Sequence, residues 1–205
     1  MDRAEWFETY LTDLLERDVQ DVTEIRKLSE LRAVALWLLA HTLQFFAVEE
    51  LADKASISKV TVQNYMEALR ALYVFDCVPA WAKSDYDMIG KREKWVATDS
   101  GLVANILGWD ENEVYMDESR NGKLVETWVY QQLAAIADVE GGYAISHYRD
   151  NRKREIDFMV ERKDGAVLGV EVKAGGASLE DFKHQMVCGS FGEDTLYRHC
   201  ALFGR

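Results

Sequence analysis

Between residues 155 and 173 the chain reads EIDFMVERKDGAVLGVEVK, two short strands around a tight turn. Ile156, Phe158 and Val160 alternate along the first strand, and Leu168, Val170 and Val172 along the second, so each offers an apolar face. These faces are buried together only in a register that pairs Phe158 with Val170, because a one-residue slip exposes one set to water. A three-residue loop, Lys163-Asp164-Gly165, gives that register, with Gly165 free to take a left-handed conformation. The same register sets Asp157 opposite Glu171 and Glu155 opposite Lys173. Facing carboxylates about 5 Å apart repel by about 3 kcal/mol at an effective dielectric of 20. Solvent screening, a shared proton or a bound cation would each relieve this. A hard divalent ion such as magnesium accepts two carboxylates and waters. The plainer alternative is a wetted face with one cross-strand ion pair, Glu155 with Lys173.

These residues must be held by elements that the periodicity outlines. The segment GKLVETWVYQQLAAIA (122–137) predicts a helix with Val125, Trp128, Val129, Leu133 and Ile136 on one side. GGYAISHYR (141–149) predicts a strand, and RDNRKR a basic loop with Arg149, Arg152, Lys153 and Arg154. That loop either holds a phosphate backbone or is a solvated charge run. AGGASLEDFKHQ predicts a Gly-rich turn into a helix. The order helix, three strands, helix fits an α/β sandwich.

The upstream half reads differently. Helices are expected over residues 4–19 and about 29–46, then over about 48–55, followed by the turn Ser56-Ile57-Ser58. Ser58 is placed to cap a further helix that buries Val62 and Leu69 and exposes Lys59, Gln63, Asn64 and Arg70. Alternating residues from Val74 to Trp81, turn-like residues Ser84 to Gly90, and KREKWVAT (91–98) complete a pattern similar to a winged helix-turn-helix. Residues 110–121 read as polar loop. The expected domains are residues 1–98, helical with the winged helix, and residues 99–205, with the acids.

Asp157 followed by Glu171-Val172-Lys173 resembles the PD-(D/E)xK nuclease superfamily, and Glu126 in LVETWVY matches the helix-borne glutamate that the superfamily often adds. The chain from about residue 6 to 185 resembles the C-terminal half of a bacterial and archaeal family of AAA-type ATPases, a domain of unknown function numbered 4143. The pieces that carry it are YLTDLLERDV, LADKASISKVTVQNYMEAL, ATDSGL, GKLVETWV, HYRDNRKREIDFMV and VEVKAG. The resemblance implies a winged helix followed by a restriction-endonuclease-like α/β sandwich. It implies magnesium or manganese on Asp157, Glu171 and Glu126, and Lys173 steadying an attacking water or developing charge. Gln185 on the following helix would be an orienter.

The implied activity is magnesium-dependent hydrolysis of phosphodiester bonds in DNA, with the winged helix as the DNA-binding part. The alternative is a non-catalytic DNA-binding or protein-interaction half of an ATPase, acting with an ATPase or other protein partner. No GxxxxGK[ST] phosphate loop occurs, so no ATP hydrolysis is expected of these residues alone. Residues 186–205 do not match the closing helix and strand of such domains, so the sheet would lack an edge element or the end be shortened.

The totals constrain these readings. The chain has 205 residues and a net charge of −12, which disfavours non-specific nucleic-acid binding except through local patches. No apolar run is long enough to span a bilayer, the first residues lack a signal-peptide core, and three cysteines show no CxxC spacing. A cytoplasmic protein is therefore expected, with no membrane partner. His184, Cys188, His199 and Cys200 match no common zinc spacing. Trp6, Trp37 and Trp128 lie on apolar helix faces and are expected in the core.

Overall fold

The computed structural model describes residues 2–19, 25, 27–82, 92–150, 153–174 and 196–198. The fold is mixed α+β, and the chain divides into two compact units, residues 1–77 with 95–117 and residues 78–94 with 118–205. The first unit thus runs past the boundary drawn at residue 98 from the sequence.

In the first unit, α1 (Arg3–Asp13) runs on into a π-helical turn, Leu14–Asp18. It is followed by α2 (Leu28–Ala40), α3 (Val48–Ala55) and α4 (Lys59–Ala71). α2 stops well short of residue 46. Leu43 takes a left-handed φ of 60°, and its amide donates to the Trp95 carbonyl at 2.7 Å. A tertiary hydrogen bond there replaces the next helical one. Between α3 and α4, Ser56 is left-handed, and Ser58 caps α4 by accepting from the Thr61 amide at 3.1 Å. Leu31, Leu38, Leu51, Val62 and Leu69 are buried among these helices. Strands β1 (Phe75–Val78) and β2 (Lys94–Ala97) pair as a two-stranded ribbon, along which the chain passes between the units. The segment Ser84 to Gly90 lies outside the described residues. α5 (Ser100–Ile106) is capped by Asp99, and α6 (Glu111–Met116) by Asp110. α6 and the start of the next helix occupy residues expected to be loop, because Asp110 supplies an N-cap that the polar composition hid.

The second unit is built on α7 (Glu118–Glu140) and a four-stranded sheet in the order β3-β4-β5-β6. The strands are β3 (Tyr143–Arg149), β4 (Glu155–Arg162), β5 (Val167–Val170) and β6 (Leu196–Arg198). β3, β4 and β5 are antiparallel neighbours, while β6 runs parallel to β5. β6 supplies the edge strand that the sequence reading left missing. Beyond β3, Ala80 bridges His147 in parallel, lengthening the sheet by a short segment. The β4–β5 register pairs Phe158 with Val170 and Val160 with Leu168, and Gly165 closes the turn at φ 87°.

One face assignment is corrected. Ser146 pairs with Met159, but Tyr148 pairs with Ile156, so His147 alone faces both Asp157 and Phe158. This bulge reverses the alternation upstream of it. Ile156 therefore joins Met159 and Val167 in a cluster flanked by Trp81 and Tyr148. Phe158 lies on the other face, 5.9 Å from the Tyr130 ring of α7.

None of the three tryptophans expected in the core is fully buried, and Trp37 on α2 is half-buried. Trp6 is 47% exposed and stacks on Tyr10 at the surface, and Trp128 is 41% exposed. On α7 the buried positions are Thr127, Val129 and Tyr130, while Ile136 is exposed. Among the described residues, no helix is long and apolar enough to cross a membrane.

A carboxylate and lysine cluster in the second unit

The bulge and the helix together build the site. On α7, Glu126 precedes Tyr130 by about one turn, so the two side chains share a face. Tyr130 meets Phe158, and Glu126 therefore comes over the β4 residues just before Phe158. These include Asp157 at the bulge and, two residues earlier in the strand, Glu155. From the end of β5, Glu171 is buried, and the Val172 amide donates to Asp157 Oδ2 at 2.7 Å. Glu126, Asp157 and Glu171 thus lie within electrostatic reach of one another.

The pairing of the cations differs from the sequence expectation. Lys173 is drawn to the neighbouring acid on its own segment. Its Nζ donates to Glu171 Oε1 at 2.6 Å. Glu155 is taken by Lys94, a residue that sequence reasoning left in a wing strand. Lys94 is 4% exposed, and its Nζ is 2.6 Å from Glu155 Oε1 and 3.7 Å from Glu126 Oε1. The cause is that β5 ends at Val170, freeing Lys173 from a cross-strand position, whereas a buried ammonium must have a carboxylate partner. Glu126 keeps 21% of its side chain exposed, yet Oε1 is sealed from solvent and makes no hydrogen bond.

Burial is the largest cause raising all three acids. Burial, then the charge of Asp157, push Glu126 up to about 8 against the pull of Lys94. Burial and then Asp157 push Glu171 up to about 7, opposed by the hydrogen bond from Lys173. Asp157 is raised by burial, which outweighs the Val172 amide, Lys94 and Lys173. For Lys94, burial pulls downward, but the fields of Glu126 and Glu155 and the Glu155 hydrogen bond outweigh it and leave the ammonium raised. Opposite the bulge, buried His147 is pushed down to about 4 by burial, despite donating from Nε2 to the Arg92 carbonyl at 2.9 Å. It is neutral at physiological pH.

As donors, the three carboxylates suit a hard divalent cation, and Glu126 Oε1 is an oxygen in need of a partner. Among the described residues, no three His, Cys, Asp or Glu side chains stand together as a ready-made ligand set. Ammonium groups already meet part of the negative charge, with Lys94 on Glu155 and Glu126 and Lys173 on Glu171.

The residues expected to contact nucleic acid are scattered by comparison. Lys59, Gln63, Asn64 and Arg70 are exposed along α4. Lys59, however, is ion-paired with Glu49, and Arg70 lies 3.8 Å from Asp76. In the second unit, Arg154 is paired with Asp150 at 2.6 Å and Arg149 lies 4.0 Å from Glu155. Lys153 is exposed. Arg152, Gln185, His184, Cys188, His199 and Cys200 lie outside the described residues.

Comparison with known proteins divides the chain in a similar way. Residues 1–113 match the family described as "Domain of unknown function (DUF8612)", and residues 121–188 match "Domain of unknown function (DUF4143)". The resemblance to the second family therefore covers the α7 and sheet segment, not the whole span from residue 6. Uncharacterized proteins of Mycobacterium bovis and Mycobacterium tuberculosis are each 31% identical over 180 residues, 84% of this chain. The chain spans 38% of the length of either relative. No solved structure matches the chain significantly.

Proposed function

The chain belongs to the DUF8612 family, and we propose that its second unit is a metal-dependent phosphodiester-cleaving centre of PD-(D/E)xK type. In this reading the helices and ribbon of the first unit are a winged helix-turn-helix that binds DNA. The observation that carries it is the meeting of Glu126, Asp157 and Glu171, from a helix and two strands, with Lys173 hydrogen-bonded to Glu171. A like-charged buried cluster is destabilising unless it has a use, and perturbed carboxylates concentrate at functional sites.

Asp157, Glu171 and Glu126 would hold magnesium or manganese, which when bound polarises a phosphate and acidifies a water. Lys173, half-exposed beside Glu171, would steady the negative charge that develops on the phosphate oxygens. The Val172 amide fixes the Asp157 carboxylate through one oxygen and leaves the other for ligation. Neutral His147, bonded to the Arg92 carbonyl, holds the bulge residues in place from across the strand. Purified protein with magnesium is expected to nick plasmid DNA, and Asp157→Ala and Lys173→Ala to abolish nicking. Equal nicking by either variant, or none by the parent, contradicts the reading.

A second reading has its own support. The charge is −12 and the α4 cations Lys59 and Arg70 are already engaged by acids, which favours a protein-binding or regulatory role over DNA binding. The partner would be an AAA-type ATPase or another protein.

A further inference from the structure

We propose that α6 is a docking helix, whose Tyr115 and Met116 enter an apolar pocket rimmed by lysine or arginine on a protein partner. The inference rests on the protein-partner reading, to which it gives a surface, and not on the carboxylate cluster.

α6 departs from the pattern of its neighbours. α4 buries Val62 and Leu69, and α5 buries Leu102 and Val103, so the core holds each of them. α6 has 6 residues and buries none of them. A helix that short is marginal alone, and what supports it is local. The Asp110 side chain accepts from the Glu113 amide at 2.8 Å, and Glu111 and Glu113 stand in the first turn, at the positive end of the helix. The last turn then carries Tyr115 and Met116 side by side, each 81% exposed. Single apolar residues at a surface are ordinary. Two large neighbours on a helix without a buried face are displayed rather than packed. Both residue types are enriched at the cores of protein interfaces, where the thioether adapts to irregular pockets.

Charge selects the occupant. Residues 101–117 carry Asp110, Glu111, Glu113 and Asp117 and no lysine, arginine or histidine. Glu113 and Asp117 have further interactions within the protein, so the exposed pair Asp110 and Glu111 bears most of the field. Phosphate backbones and anionic lipid headgroups are repelled by such a surface. A second copy fits it poorly, because a two-fold contact sets the same acids against one another in chains of net charge −12. An apolar pocket with a basic rim meets both features. It covers the Tyr115 and Met116 side chains and attracts the acids beside them.

The test uses the 205-residue protein and a fluorescent amphipathic helical peptide of leucine and lysine, its apolar stripe flanked by the lysines. Binding is read by fluorescence anisotropy, beside a peptide with glutamate in place of every lysine. The wild type is expected to bind the lysine peptide and not the glutamate peptide. Tyr115→Ser with Met116→Ser leaves the charge unchanged and should weaken binding at least about tenfold. Asp110→Asn with Glu111→Gln keeps a capping residue and should weaken both binding and its salt dependence. Neither pair removes a buried side chain, so both should keep the wild-type melting temperature and its response to magnesium. Equal binding by the serine pair overturns the proposal and leaves the protein-partner reading to another surface. No binding of the lysine peptide by the wild type overturns the proposal, as does equal binding of the glutamate peptide. A dimer in sedimentation that the serine pair abolishes assigns α6 to a second copy and overturns it too.

Discussion

Glu126 and Glu171 sit at about 8 and about 7, against an ordinary value of 4.5. For both, the folded state holds its proton more tightly than the unfolded chain. Their stabilising contribution is complete below about pH 4.5 and is lost as pH rises through about 7 to 8. Lys94, raised from an already high value, contributes evenly over that window. The melting temperature of the metal-free protein should therefore fall between about pH 5 and 8. Glu126→Gln should flatten the decline, and a melting temperature that rises over the same range would contradict the cluster. At this scale the sequence showed three of the acids but not the pairs Lys173–Glu171 and Lys94–Glu155. Asp157, Glu171 and Lys173 stood out through alternation and spacing. Lys94 did not, because a lysine in a charged run such as KREK is ordinarily solvated, and only its phase with Val96 pointed inward. His147 gave no signal at all, since its role follows from a bulge.

The elements were easier to read than their faces. Ser58 and Gly165 did what their residue types suggested, one capping α4 and one turning the hairpin. The bulge at Asp157–Phe158 could not be read from β4, because both residues fit an unbroken alternation; it arises from pairing with β3. Two glycines test the local account in opposite directions. Gly165 has φ 87°, so Gly165→Ala should cost about 1 kcal/mol in chemical denaturation. Gly122 lies inside α7 with open space where a Cβ would stand, so Gly122→Ala should stabilise by about 0.5–1 kcal/mol. A destabilised Gly122→Ala would mean that the first turns of α7 are not helical in solution. On the same helix, Trp128 and Ile136 were misjudged because Thr127 and Tyr130 are buried beside Val129, with Tyr130 against Phe158.

For the whole molecule, the decisive quantity is charge. At −12, DNA binding must come from short basic stretches, and those described are largely ion-paired. If the winged-helix reading holds, Lys59→Glu with Arg70→Glu should weaken DNA binding at least tenfold and reduce its salt dependence. Unchanged affinity would remove α4 from the interface and favour the protein-partner reading. The mixed α+β build and the DUF4143 segment were legible from motif order, whereas the DUF8612 match of residues 1–113 was not, since the helical half carries few residues of distinctive chemistry. The central claim is that the buried acids of α7, β4 and the end of β5 await a divalent cation. Its most direct test is thermal unfolding with and without magnesium, in the wild type and in Asp157→Asn. Magnesium should raise the wild-type melting temperature and leave that of Asp157→Asn unmoved. No shift in the wild type, or the same shift in both proteins, would contradict it.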